Sequence, residues 1–155
     1  MEDINKTIKE LSDTIFDKEE FNFNIDLSNA GHAIRDDLAR VYNAYGTLNG
    51  LVSRIDFLYE QAKIKRDKVE VLAWDSIFKD SEKSKLKSTT QKIIVINEVV
   101  KVEGKETTLL LEDDTVNQYR YFLNRGKDKL KELTALLDIG RSILSWDRAE
   151  LERML

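Results

Sequence analysis

The stretch IRDDLARVYNAYGTLNGLVSRIDFLYEQA, Ile34–Ala62, decides the fold. Its apolar residues fall at Ile34, Leu38, Val41, Tyr45, Leu48, Val52, Ile55, Tyr59 and Ala62. The steps alternate four and three, which is the a/d seam of a heptad repeat. Leu51 and Leu58 widen the stripe. Beyond Ala62 the next seam position is Arg66, so the register weakens there. Val69, Leu72, Ala73, Ile77 and Phe78 extend the apolar pattern, and the spacing predicts one long helix over 27–79. Asp26 or Ser28 would cap its start. A helix of that length would run roughly 80 Å if straight. Gly46 and Gly50 share one face of it. They would either admit a partner helix closely or mark a bend.

A second long helix is expected over 114–152, capped by Asp113 or Asp114. Val116, Leu123, Leu130, Leu137, Leu144 and Leu151 recur every seven residues. Tyr119, Gly126, Leu133, Gly140, Asp147 and Met154 hold the other seam positions. Leu136 and Ile143 broaden the face. Residues 2–16 read as a short amphipathic helix with Ile4, Ile8, Leu11 and Ile15 on one side. Phe21, Phe23 and Ile25 alternate in a loop or short extended piece.

Between the long helices, 80–92 is a polar, basic connector. The run IIVINEVVKV is rich in β-branched residues, and EGKE resembles a turn. This predicts a small β-hairpin at about 92–111, with a helix opening at a Ser88-x-x-Gln91 capping box as the competing assignment. The fold class is therefore mainly α, a single helical domain in which two heptad-bearing helices pack as a hairpin or coiled coil. Ile34, Leu38, Val41, Tyr45, Leu48, Val52, Ile55, Leu123, Leu130, Leu137 and Leu144 would form its core or its oligomer contacts, and a homo-oligomer is expected.

Composition agrees. The 155 residues include no Pro and no Cys. Proline-free sequence suits long uninterrupted helices and argues against many-turned β folds. The lack of Cys excludes a disulfide scaffold, a thiol nucleophile and a thiolate metal site. His32 is the sole histidine, and no P-loop, GxGxxG, HExxH or EF-hand pattern occurs. No enzyme, cofactor or metal is expected. Glu112, Asp113 and Asp114 could hold a cation, but a helix start explains them better. The N-terminus has no apolar signal core and no window suits a membrane span, so a soluble, cytoplasmic protein is expected.

The net charge of −4 is unevenly spread. Residues 1–30 carry −5 and residues 93–115 carry −4, whereas residues 61–92 hold 9 basic and 5 acidic side chains, or +4. The basic stretch contains Lys63, Lys65, Arg66, Lys68, Lys79, Lys83, Lys85, Lys87 and Lys92, with Trp74 and Phe78 among them. A second cluster is Arg120, Arg125, Lys127, Lys129 and Lys131, beside Tyr121 and Phe122. Cations neutralise phosphates and aromatic faces stack bases, so this mixture suits single-stranded nucleic acid. Lysines on so charged a helix are ordinarily a solvated face, and Trp74, Phe78 and Phe122 are ordinarily core.

The layout resembles that of the UvsY-type recombination mediators of bacteriophages. The matching pieces are an Ile25-Asp26 entry into a long helix with Tyr42, Tyr45 and LNGLVSRI (48–55), and a Lys/Arg-rich helix end. EKSKLKSTT (82–90), DDTVNQYRYF (113–122), LLDIGRSIL (136–144) and Trp146 follow, so the likeness spans 22–150. The hairpin expected at 93–111 departs from that family's all-helical pattern. The resemblance implies a non-enzymatic, ring-like homo-oligomer that binds single-stranded DNA, displaces a single-strand-binding protein and helps load a RecA-like recombinase. It implies DNA contacts within 63–87; the cluster at 120–131 is added from charge alone. The alternative is a phage-encoded helical adaptor or inhibitor that binds a host protein through an acidic surface. A structural coiled-coil assembly factor is a third reading.

Overall fold

The heptad stretch lies in a 49-residue helix, α1 (Gly31–Lys79), which ends where the sequence places its end. The computed structural model describes Phe23 and residues 31–154, with side chains described for Phe23, 34–150, 152 and 153. The expected helix at 2–16, the caps Asp26 and Ser28, and the His32 side chain lie outside these residues. After α1 come a 3₁₀ turn (Lys83–Lys85), helix α2 (Ser88–Asn97), strands β1 (Val100–Val102) and β2 (Lys105–Thr107), and the 46-residue helix α3 (Leu109–Met154). The architecture is mainly helical, with one small antiparallel hairpin.

The chain forms two compact units. One contains the described residues up to Arg54 together with Phe122 onward, and the other is Ile55–Tyr121. In the first, Ile34, Val41, Ala44, Leu48 and Val52 of α1 are buried, as are Phe122, Leu123, Leu133 and Leu137 of α3. Leu38, Tyr45, Leu130 and Leu144 are half-buried. The heptad seams thus close on each other within one chain, because a helix with an apolar stripe must bury it against another element. Each fully buried aliphatic side chain contributes about 1.5–3 kcal/mol. The Arg40 guanidinium sits 5.7 Å over the Phe23 ring, which gives one of the N-terminal aromatics a partner.

The glycines divide by role. Helix α1 runs unbroken through Gly46 and Gly50, both are exposed, and a Cβ at either would meet nothing. The helix does not break there, and no other helix among the described residues approaches either glycine closely. Gly140 is buried, and a Cβ on it would overlap the Leu38 side chain. Here the missing side chain is what lets α3 approach α1.

In the Ile55–Tyr121 unit, Val69, Ala73 and Ile77 of α1 form a core with Val95, Val100 and Leu109, and Trp74, Ile94 and Val102 pack against it. The two competing assignments for the middle segment both occur, in series. Residues 93–97 are helical despite their β-branched side chains, because α2 turns Val95 inward and Ile94 against the core. Burial outweighs a propensity cost of a few tenths of a kcal/mol per residue. The hairpin is shorter than expected, pairing Val100 with Thr107, Lys101 with Glu106 and Val102 with Lys105. Its two-residue turn puts Glu103 at φ 52° and Gly104 at φ 78°, the left-handed pair that matches strand twist.

Both cap assignments are corrected. The N-cap of α2 is Lys87, which makes no side-chain cap bond. Gln91 does not close a capping box; its Nε2 donates instead to the carbonyls of Lys83 at 3.2 Å and Ser84 at 3.0 Å. Helix α3 starts at Leu109 rather than at 114. Thr108 caps it, its Oγ1 accepting from the Leu111 N–H at 3.3 Å. Burying Leu109 in the core draws the helix start back past Asp113 and Asp114.

Gly46→Ala and Gly50→Ala should each stabilise the protein, by up to about 1 kcal/mol from helix propensity. Gly140→Ala should destabilise it by about 1–3 kcal/mol through overpacking against Leu38. Urea denaturation measures all of these. A Leu38→Ala background should remove most of the Gly140→Ala cost, whereas strict additivity would contradict the contact.

Candidate nucleic-acid interface

The basic half of α1 faces acids from the start of α3. Arg66 donates from Nε to Asp113 Oδ1 at 2.8 Å and also pairs with Asp67 at 3.2 Å and with Glu70. Asp113 leads the interactions that raise the guanidinium pKa above its ordinary value. One residue earlier, Lys65 Nζ meets Glu112 Oε1 at 2.7 Å. The Glu112 carboxylate is 5% exposed and also accepts from Thr107 Oγ1 at 2.7 Å. A buried carboxylate needs such partners, since an uncompensated one costs several kcal/mol. These bonds tie the end of β2, the first turn of α3 and α1 together.

A second knot lies at the 3₁₀ turn. Lys83 Nζ bonds both oxygens of Glu98 at 3.0 Å, and Ser76 Oγ donates to the same carboxylate at 2.8 Å. Lys83 chiefly, then Ser76, hold the Glu98 carboxyl below its ordinary pKa. The Asp80 carboxylate accepts from the backbone N–H groups of Glu82 and Lys83, at 2.9 and 3.1 Å, and these bonds hold its pKa down as well.

The opposite charges of 61–92 and 93–115 are therefore complementary surfaces as well as separate blocks. Glu98, Glu112 and Asp113 engage Lys83, Lys65 and Arg66. Other cations are paired more locally. Lys63 meets Glu60 at 3.1 Å and lies 5.3 Å over the Tyr59 ring, and Lys79 meets Asp75 at 2.5 Å. Arg120 places its Cζ 6.0 Å over the same Tyr59 ring, with Nε 3.4 Å from the Tyr59 hydroxyl. Charge counting alone missed Tyr59, because its heptad position marks it as core.

Lys68, Lys85, Lys87 and Lys92 remain exposed, with no ion pair among the described residues. Lys85, Lys87 and Lys92 fall within the 3₁₀ turn and the opening turns of α2. Of the aromatics, Trp74 is half-buried against the core and stacks on Phe78 at 5.6 Å and 21°. Phe78 itself is exposed. Phe122 is buried and belongs to the core of the other unit, while Tyr121 is exposed in this one. Arg125 and Lys127 lie in the other unit, Arg125 half-buried and Lys127 exposed. Lys129 pairs with Glu132 at 2.8 Å and Lys131 with Asp128 at 2.9 Å. Among the described residues there is no group of side chains suited to hold a metal ion, and no helix is long and apolar enough to cross a membrane. No family model matches the chain, and neither does any curated protein or solved structure.

Glu98 yields a pH prediction. Its folded pKa is depressed, so the stability it contributes is present above the unfolded glutamate pKa of about 4.3 and is lost as pH falls through the lower folded value. Lys83→Ala should lower stability at pH 7 and remove most of this acid-sensitive part. Urea denaturation at pH 7 and pH 3 should show the gap between variant and wild type narrowing at the lower pH. A gap of constant size would contradict the assignment.

Proposed function

We propose that this protein is a non-enzymatic single-stranded-DNA-binding mediator of the UvsY type, which helps a RecA-like recombinase replace a single-strand-binding protein. The observation that carries the reading is the set of exposed lysines without ion pairs, Lys85, Lys87 and Lys92, around the 3₁₀ turn and the start of α2. They fall in and beside EKSKLKSTT, one of the pieces on which the resemblance rests. Exposed ammonium groups that bind no carboxylate are available to phosphates, and the release of counterions drives their association. Phe78, exposed on the same unit, offers a face on which a base could stack. Lys65, Arg66 and Lys83 serve first to hold the unit together, so the contact set is narrower than the charge run. The acidic-surface adaptor has less support, since Glu98, Glu112 and Asp113 are engaged within the chain.

Fluorescence anisotropy with labelled oligo-dT across a salt series tests the proposal. Binding is expected at about 50 mM salt, weakening as salt rises. The triple variant Lys85→Ala/Lys87→Ala/Lys92→Ala should reduce the log–log salt slope by about 2, since each phosphate contact on a single strand contributes roughly 0.7. Lys83 is left intact because it anchors Glu98. Absence of binding at low salt, or an unchanged slope, would overturn the assignment.

A further inference from the structure

Three polar side chains are buried among the described residues, Gln91, Thr107 and Glu112. Thr107 and Glu112 bond each other, and Lys65 completes their group. Gln91 differs, because both of its side-chain bonds leave α2 and end on the turn before it. Burying a glutamine desolvates its amide and freezes a side chain rich in rotamers, so these bonds have to offset both costs. They act on a short segment. The Gln91 side chain donates to the carbonyls of Lys83 and Ser84, and its backbone N–H donates to the carbonyl of Lys87 at 3.0 Å. One residue thus holds both ends of 83–87.

The rest of the turn is closed from the other side. Asp80 Oδ1 accepts from the N–H groups of Glu82 and Lys83. The N–H groups of Lys85 and Leu86 reach the carbonyls of Glu82 and Lys83 at 3.3 and 3.2 Å. Lys83 is fixed through its N–H, its carbonyl and, by Glu98, its ammonium group. Lys85 and Lys87 share this anchored backbone, yet their ammonium groups have no ion pair among the described residues. We propose that Gln91 is a positioning residue for single-stranded DNA: it sets the backbone from which Lys85 and Lys87 reach the phosphates. A segment ordered on folding leaves less to be ordered on binding, and affinity gains by the difference. This role rests on the DNA-binding reading of the two lysines.

Gln91→Met keeps the length of the side chain and removes both donors. Nitrogen-15 relaxation without DNA compares 83–87 with α2. Wild type should give order parameters of about 0.85 for both, and Gln91→Met should lower those of 83–87 alone. With labelled oligo-dT, Gln91→Met should bind about tenfold more weakly, because ordering of the turn then falls on binding. Its salt slope should match wild type, since the same ammonium groups meet the same phosphates. In a Lys85→Ala/Lys87→Ala background the effect of Gln91→Met should fall below about twofold, whereas a general loss of stability would act equally in both backgrounds. Circular dichroism checks folding, and Gln91→Asn, too short to reach the turn, takes the place of Gln91→Met if that variant is unfolded. Unchanged order parameters, unchanged affinity or an equal loss in both backgrounds would overturn the role of Gln91 and leave the DNA-binding reading intact. A wild type that binds no oligo-dT would overturn both.

Discussion

Two apolar stripes that repeat every seven residues have to leave water, and most of this structure follows from how they do so. A lone helix buries nothing, however strong its periodicity. Helices α1 and α3 bury their seams against each other, with Ile34, Val41 and Leu48 on one and Leu123, Leu133 and Leu137 on the other. Close approach requires room at the contact, and Gly140 supplies it under Leu38. The elements between them carry the chain from one long helix to the next, and α2 and β1 place Val95 and Val100 in a core with Val69, Ala73 and Ile77.

Electrostatics then settles the detail of the connecting unit. Blocks of +4 and −4 adjacent in sequence would be independent surfaces on an extended chain. The fold brings them face to face, and several of the most suggestive cations become structural. Lys65 compensates a carboxylate that is almost without solvent, and Arg66 gathers acids from its own helix and from α3. A buried or part-buried pair of this kind is held chiefly because breaking it leaves a charge stranded. Lys85, Lys87 and Lys92, on the 3₁₀ turn and α2, stay exposed with no ion pair among the described residues.

Legibility followed the range of the interactions involved. The end of α1 at Lys79, the mainly helical class and the turn at Glu103–Gly104 were readable, because periodicity and turn chemistry are local. The helix start at Leu109 was not. Asp113 and Asp114 are good caps by type, and only the burial of Leu109 among Val69, Ala73 and Ile77 shows why the helix begins earlier. The same holds for Gln91, whose side chain satisfies carbonyls of the preceding turn instead of capping its own helix. The β-branched run was ambiguous between strand and helix, and the structure divides it, helix to Asn97 and strand from Val100.

Long helices, the placing of their seams and the grouping of charge into blocks are all legible in the amino-acid order. Those properties depend on spacing along one chain. Only the tertiary structure decided which face of α1 is consumed by α3 and which stays open, and which cations remain available once Glu98, Glu112 and Asp113 have taken theirs. Heptad spacing names every apolar position alike. Whether a given position is core or surface, and whether a given lysine is paired or free, depends on what another segment places within a few ångströms of it.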